Sequence, residues 1–302
     1  MWILFTVIAA GAQTLRNALQ KELQTTLGTA GATHVRFLYG LPFGLLFLVL
    51  VAFAHGRLPP VPNGRALLLM VIGAVAQIIA TALLLSAMKE QSFVITTAYA
   101  KTEPVQVALF GLVLLGDKLT VPMALAILVA TAGVVIMGWP KAQAADGAKA
   151  TAGGGGLGPV ALGLGAAAMF GLSAVGFRGA ILALDDPSFV LRASTVLGLS
   201  LTTQTIILST YLAMTAPETL GALGRAWKPS LPAGFAGAFA SQMWFLAFAL
   251  ETAAKVRTLA LIEIFFAYAI SRRLFSQDLS RREILGLVLV VLGVAWLLNI
   301  ST

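Results

Sequence analysis

The stretch Tyr99 to Gln106, YAKTEPVQ, places a cation, an anion and a helix-breaking residue inside an apolar segment. FVITTA precedes it and VALFGLVLL follows it. Lys101 and Glu103 lie about ten residues into their predicted helix, or about 15 Å at 1.5 Å per residue. In a hydrocarbon layer about 30 Å thick this depth is near the centre, so both side chains require partners or water.

These two charges have two candidate roles. Lys101 is predicted to pair either with Glu103 across a distorted turn or with Glu263 of a later segment. Pro104 removes a backbone donor and strains the preceding turn, so it is predicted to break the helix and to free carbonyl groups around Ala100 for a ligand. One interpretation is an ion pair that locks two helices. The other is a substrate or proton site.

Glu263 is the predicted site of proton coupling. No basic residue lies within its own helical turn, whereas Lys101 is expected to keep Glu103 ionised when the two are paired. A substrate that competes for Lys101 would then couple binding to proton exchange.

Further side chains are predicted to complete a substrate pocket. Three aromatic residues lie inside predicted helices, where they either stack on a flat solute or pack against helices and lipid. The third predicted helix of each half contains one of two glutamines. A buried amide finds its partner either on a neighbouring helix or on a ligand. The predicted substrate-binding set is Tyr99, Lys101, Glu103, Gln77, Gln242, Trp244 and Tyr268.

Three polar residues of the first apolar segment, Gln13, Arg16 and Asn17, are expected to face other helices or water, because polar groups are costly in lipid. Arg36 and Arg192 each fall near the start of the second predicted helix of a half. They are interpreted as a repeat-related pair that clamps interfacial phosphate groups.

The composition indicates a polytopic membrane protein. Charged residues make up 11% of the 302 residues, hydrophobic residues make up 59%, and the mean hydropathy is +0.92, whereas soluble domains are about 25% charged. The net charge of +8 comes from basic residues at the ends of apolar runs. This pattern favours loops beside anionic lipid headgroups over nucleic-acid binding.

Motifs for metal, cofactor and enzyme chemistry are missing from the sequence. There is no cysteine, neither histidine lies beside an acidic residue in metal-ligand spacing, and no phosphate loop, zinc-protease helix or nucleophile elbow is present. No metal, no cofactor and no enzyme activity is predicted. The expected partners are a small-molecule substrate and membrane lipids, with the chain a monomer or a weak dimer.

Ten segments are long and apolar enough to span a bilayer, which takes about 20 residues. They form the predicted all-α fold. The segments are Trp2–Leu19, His34–Phe53, Ala66–Met88, Ser92–Leu115, Leu119–Gly138, Leu157–Ala180, Ser188–Met214, Leu231–Leu250, Val256–Leu274 and Ile284–Ile300.

The predicted domain plan is a first five-helix repeat over 1–139, a flexible Ala- and Gly-rich linker over 140–157 and a second five-helix repeat over 158–302. A shift of 160 positions brings Glu103 onto Glu263 and Gly133-Val134 onto Gly293-Val294. An odd number of helices per half makes the two halves inverted. Inverted repeats around a central mid-membrane cavity are a plan of secondary transporters.

Two stretches carry a resemblance to a known family. TEPVQVALFGLVLLGDKLT has an acidic residue and a proline before an apolar run and a glycine–acid turn, and LIEIFFAYAISRRLFSQDLSRREILGLVLVVLGVAWLL is its counterpart in the second half. Together they resemble the drug/metabolite transporter superfamily in its ten-helix EamA branch. The resemblance implies an exporter or exchanger of small metabolites and points to amino-acid exporters of the YddG type.

The function predicted from the sequence is a multi-pass secondary transporter of the bacterial inner membrane. It would export or exchange a small organic metabolite, first of all an aromatic or neutral amino acid, by alternating access. A flippase of lipids or lipid-linked sugars is the alternative, and a membrane-embedded enzyme is a remote one. Ten basic residues in the odd-numbered loops against five in the even-numbered loops predict periplasmic termini, whereas the family resemblance implies cytoplasmic termini.

Overall fold

The computed structural model of the protein describes residues 1–90, 100–138, 157–263 and 281–300. These residues are helical apart from short connections, and a π-helical turn over Gly111–Leu115 and a 3-10 turn over Ala260–Ile262 extend two of the helices. The described helices are α1 Trp2–Leu38, α2 Leu41–His55, α3 Gly64–Glu90, α4 Glu103–Phe110, α5 Val121–Gly138, α6 Leu157–Leu182, α7 Phe189–Thr215, α8 Pro217–Arg225, α9 Trp227–Leu250, α10 Ala253–Leu259 and α11 Arg281–Ile300.

Within the described residues, five helical segments are long and apolar enough to cross a membrane, so the chain is a multi-pass membrane protein. They are Trp2–His55, Gly64–Met88, Ala161–Leu182, Phe189–Thr215 and Trp227–Leu250. Three shorter apolar segments cover Glu103–Leu115, Val121–Ile136 and Ile284–Ile300.

The first of these segments folds back on itself at Gly28. This glycine has φ 66° and ψ −179° inside α1, a conformation that favours glycine and interrupts the helix. Gln20 Nε2 donates to the carbonyl oxygen of Ala32 at 2.8 Å, whereas residues 12 apart on a straight helix are about 18 Å apart. The 54-residue run Trp2–His55 therefore contains two passes rather than one.

The predicted bounds of the first two segments are wrong in one respect. Helical structure continues past Leu19 to Leu38, and His34 lies inside α1 rather than at the start of a helix. The polar run after Leu19 stays helical because Gln20 and Gln24 bond to backbone carbonyls of Ala32 and Leu85. Those bonds satisfy side chains that would otherwise be costly inside the bundle.

The short helix α8 was not predicted. Its nine residues lie between α7 and α9, and Leu223 is its buried residue. The hydroxyl of Tyr39 donates to the carbonyl oxygen of Leu223 at 2.6 Å, which attaches α8 to the turn between α1 and α2. A helix this short is below the length that a search for spanning segments detects.

Three helix pairs form the main packing contacts of the bundle: α3 with α6, α1 with α9, and α5 with α11. The last pair is very close, because a Cβ on Gly133 would lie 2.6 Å from the carbonyl oxygen of Gly286, and a Cβ on Gly293 would lie 2.5 Å from the nitrogen of Ala130. Glycine lets two helix backbones approach in this way in membrane proteins.

Candidate functional site

Two ion pairs connect the segment around α4 with the segment around α10. The Nζ atom of Lys101 donates to Oε2 of Glu263. The Nε atom of Arg257 lies 3.0 Å from Oε1 of Glu103, and this contact is an ion pair without hydrogen-bond alignment. We call these four residues the crossed ion pairs, because each glutamate contacts a cation of the other segment.

Local backbone structure brings the four side chains together. Lys101 lies in a turn, and Glu103 and Pro104 begin α4. Proline is tolerated there because the first turn of a helix has no intrahelical acceptor for its nitrogen. On the other side, α10 tightens into the 3-10 turn that ends just before Glu263. Both segments thus depart from regular α-helix where the charges meet.

The pairing decides between the two sequence-based alternatives for Lys101. Lys101 does not pair with Glu103 across the turn; it pairs with Glu263. Glu263 has no basic residue within its own turn, as the sequence indicated, and its cation comes from the other segment. Arg257, at the start of the predicted segment Val256–Leu274, is one of the five basic residues counted with the even-numbered loops. It is instead buried and forms an ion pair with Glu103.

Trp244 contacts the crossed ion pairs through Arg257 and, by way of Gln13, through Glu263. The guanidinium carbon of Arg257 lies 4.3 Å from the centre of the Trp244 ring and 5.4 Å from that of Phe248, which are cation–π contacts. The indole Nε1–H donates to Gln13 Oε1 at 3.1 Å, and Gln13 Nε2 donates to Glu263 Oε2 at 3.4 Å. The mid-helix tryptophan thus orients the charged groups.

A cavity of about 30 Å³ lies against the crossed ion pairs. This volume holds about two water molecules, so the cavity is too small for an organic solute in this conformation. Its wall contains both polar and apolar residues, with Phe170 and Met88 among the apolar ones. The charged residues of the wall are Arg16, Lys101, Glu103, Arg257 and Glu263.

Arg16 is the lining residue whose role the sequence did not reveal. Its side chain is 1% exposed, and its Nη2 donates to Asn17 Oδ1 at 2.6 Å. Its Nε and Nη1 atoms have no hydrogen-bond partner among the described residues. The sequence signal for a binding role was an arginine inside a spanning segment. From it we predicted only that Arg16 faces other helices or water.

Arg36 is not an interfacial clamp. It lies in the last turn of α1, is 2% exposed, and donates to Thr81 Oγ1 at 3.2 Å and Ser241 Oγ at 3.5 Å. Arg192 is in the first turn of α7. Position near the end of an apolar run suggested an interface for Arg36, but the reversal at Gly28 places it inside the bundle.

Gln77 and Gln242 bond to other helices. Gln204 Nε2 donates to Gln77 Oε1 at 2.9 Å, and Gln242 Nε2 donates to Ser194 Oγ at 3.0 Å. These bonds connect α7 with α3 and with α9, and neither glutamine lines the cavity. Tyr99 and Tyr268 lie outside the described residues.

A second charged cluster lies at the helix ends on one side of the bundle. Arg178 Nη1 donates to Asp117 Oδ1 at 2.7 Å and Oδ2 at 3.1 Å, and Arg178 Nε donates to the carbonyl oxygen of Glu251 at 3.0 Å. Asp117 follows the π-helical turn after α4, and Glu251 follows α9. We call these three residues the end cluster. It ties the ends of three spanning segments together.

Metal-ligating groups do not cluster among the described residues. Within residues 1–90, 100–138, 157–263 and 281–300, no group of three or more His, Asp or Glu side chains has the arrangement of a metal site.

Comparisons with known proteins give a family match over the first part of the chain and one shared fold. A sequence model described as the EamA-like transporter family matches residues 1–139. No curated protein matches the chain. One solved crystal structure is similar over 99% of this chain and 96% of its own length, with a TM-score of 0.68 and 13% sequence identity, so the two share a fold.

Proposed function

We propose that this chain, which carries an EamA-like domain over residues 1–139, is a secondary transporter that moves a small organic metabolite across the membrane. The observation that carries the proposal is the set of crossed ion pairs beside a small cavity, at the level where both α4 and α10 depart from regular helix. Broken helices around a mid-membrane charge site are a recurrent feature of such transporters.

Contacts between α5 and α11 support two inverted five-helix repeats, 1–139 and 158–302. The shift of 160 positions relates Gly133 to Gly293 and Ala126 to Gly286. A Cβ on Gly133 would lie 2.6 Å from the carbonyl oxygen of Gly286, and one on Gly293 would lie 2.8 Å from that of Ala126. The same contact thus occurs twice with the roles exchanged, as twofold symmetry requires.

The two glutamates of the charged centre follow the same symmetry, but their cations do not, because the shift relates Lys101 to Leu261 and Arg257 to Thr97. The shift relates Glu103 to Glu263, and each of these carboxylates is held by a cation from the opposite half, Arg257 or Lys101. A contact that joins the two halves at their centre must change when one half moves relative to the other. The crossed ion pairs are therefore well placed to sense a bound solute during that movement.

Alternating access requires that one end of the cavity be closed while the other opens. The end cluster fits the closed end, since Arg178 joins α6 to the residues that follow α4 and α9. In the opposite state these segments separate, so we expect the bond between Arg178 and Asp117 to break and re-form in each transport cycle.

The proposed substrates are amino acids, aromatic or neutral ones first, exported or exchanged at the inner membrane of a bacterium as by transporters of the YddG type. The cavity supports this choice because it offers both cations and carboxylates beside the apolar side chain of Phe170. Glu263 is the proposed proton-exchanging residue, with Lys101 as the cation that a substrate would compete for.

Counterflow in proteoliposomes tests the function. Purified protein is reconstituted into vesicles preloaded with one member of a panel of amino acids, sugars, polyamines and nucleosides, and uptake of the labelled solute is measured. We expect preloading with an amino acid to accelerate its uptake in the wild type, and Lys101→Ala to reduce that acceleration. Lipid scrambling in the same vesicles without counterflow of any solute would contradict the proposal and favour a flippase.

A further inference from the structure

We propose that the cavity recognises a carboxylate group and that Arg16 is the residue that binds it. This inference rests on the proposed function in one respect, because the ligand is taken to be the transported solute. It goes further by assigning the recognised chemical group and the residue that selects it.

The first argument is the hydrogen bonding of Arg16. A guanidinium group has five N–H donors, and a buried donor left without an acceptor is costly. Arg16 is 1% exposed, lines the cavity and has one described bond, from Nη2 to Asn17. Its Nε and Nη1 atoms have none. These donors need an acceptor, and carboxylate and phosphate groups are the acceptors that guanidinium groups bind most strongly.

The second argument is the distribution of charge. The described cavity wall has three cations and two carboxylates, so it carries one excess positive charge. Lys101 and Arg257 each contact a glutamate. Glu263 also interacts electrostatically with Arg16, but its Oε2 already accepts from Lys101 and Gln13. Among the described residues of this wall, Arg16 is thus the cation that forms no ion pair with a carboxylate.

Arg36 is a second buried cation beside Arg16. It packs beside Arg16, because a Cβ on Gly237 would lie 3.2 Å from Arg36 Cγ and 3.4 Å from Arg16 Cδ. Arg36 bonds to the hydroxyl groups of Thr81 and Ser241, which carry no charge. Neither guanidinium group forms an ion pair with a described residue, and two neighbouring buried cations of this kind are stabilised when an anion binds between the helices.

The same charge distribution selects among anions. A carboxylate brings one negative charge, which neutralises the excess on the wall. A phosphate group brings nearly two and would be repelled by Glu103 and Glu263, which share the cavity. Amino acids and simple organic acids both contain the carboxylate, so the experiment has to separate these two sources.

The test compares ligands of one shape that differ in this group. The full-length protein in detergent is titrated with phenylalanine, 3-phenylpropionate, phenylalanine amide and phenethylamine, and ligand-induced thermal stabilisation gives the affinity. The leucine, 4-methylpentanoate, leucinamide and isoamylamine series is measured in parallel. We expect the two acids of at least one series to bind at least about tenfold more tightly than the amide and the amine.

Variants assign this preference to Arg16. We expect Arg16→Gln to lose at least about tenfold in acid affinity and to lose the preference for acid over amide. Arg16→Lys keeps the charge, so it should keep the preference with weaker binding. Arg36→Gln is the matched control, because Arg36 is equally buried and adjacent but does not line the cavity. Its acid affinity should fall less than that of Arg16→Gln, and it should retain the preference for acid over amide.

The outcomes separate the two proposals. Equal or tighter binding of the amide or the amine, no binding of any acid, or wild-type acid affinity in a folded Arg16→Gln protein would overturn the carboxylate site. Should the Gln variant not fold, the ligand series on the wild type and on Arg16→Lys decides. Arg16-dependent binding of acids without any counterflow in vesicles would leave the carboxylate site standing and overturn the transport function. Within the acids, tighter binding of the amino acid or of the simple acid identifies which class is the ligand.

Discussion

Lys101, Glu103, Arg257 and Glu263 illustrate what the sequence reveals at the scale of single residues. Their positions in apolar segments were sufficient to predict that they needed partners. Which cation holds which glutamate depends on the packing of α4 against α10, and spacing along one helix carries no information about it. Arg16 escaped prediction as a ligand-binding residue because the packing of α1 against α9 decides which donors remain without acceptors.

Removal of Lys101 tests whether the pairing matters for the fold. Lys101→Ala leaves Glu263 without its cation, and a buried charge that loses its partner costs about 3–5 kcal/mol. We expect a clear fall in the thermal unfolding temperature and a partial recovery in Lys101→Ala/Glu263→Gln, since the orphaned charge is then also removed. Lys101→Ala/Glu103→Gln is the matched control and should not recover. Equal recovery in both double variants would contradict the crossed arrangement.

Glu263→Gln tests the proton role, because glutamine imitates the protonated carboxyl group. If Glu263 exchanges the coupling proton, the variant should retain solute-for-solute exchange and lose the response of uptake to an imposed pH gradient. Glu103→Gln, held by Arg257 instead, should retain that response. The measurement is uptake into proteoliposomes with and without the gradient. A wild type that ignores the gradient, or a Glu263→Gln protein that responds normally, would leave both glutamates as structural partners between the halves.

At the scale of helices, long apolar segments were predictable and their interruptions were not. Hydropathy alone places α3, α5, α6, α7, α9 and α11 within a few residues of their observed bounds. The reversal at Gly28 was missed, because the polar residues around it are satisfied by hydrogen bonds that form only after the chain folds back. A single glycine with positive φ marks the reversal, and glycine is too common in this chain, with 30 residues, to be diagnostic.

The close packing of α5 on α11 gives a prediction about symmetry. Even an alanine at Gly133 or Gly293 brings a Cβ within 2.6 Å or 2.5 Å of backbone atoms on the facing helix, and overpacking of this kind costs about 1–3 kcal/mol. We expect Gly133→Ala and Gly293→Ala to lower the thermal unfolding temperature by similar amounts. Gly11→Ala, in a helix with nothing within 4 Å of the added Cβ, is the control and should not. A large effect at one site and none at the other would contradict the twofold relation.

At the scale of the whole molecule, composition predicted a multi-pass membrane protein, and the structure agrees. Orientation stays a prediction. The loop count changes once Arg257 is recognised as a buried residue, because four rather than five basic residues then remain in the even-numbered loops. The ten in the odd-numbered loops still favour a cytoplasmic location for those loops and periplasmic termini.

Alternating access is the central claim, and site-directed labelling tests it most directly, because the chain has no native cysteine. Met88→Cys places one thiol on the cavity wall, and a membrane-impermeant maleimide is applied from one face of oriented vesicles or the other. We expect the reagent to reach the thiol at position 88 from one face only. Breaking the Arg178–Asp117 bond with Arg178→Ala should lower labelling from that face and raise labelling from the opposite face. Labelling that is equal from both faces, or that stays on one face in the Arg178→Ala background, would contradict alternating access.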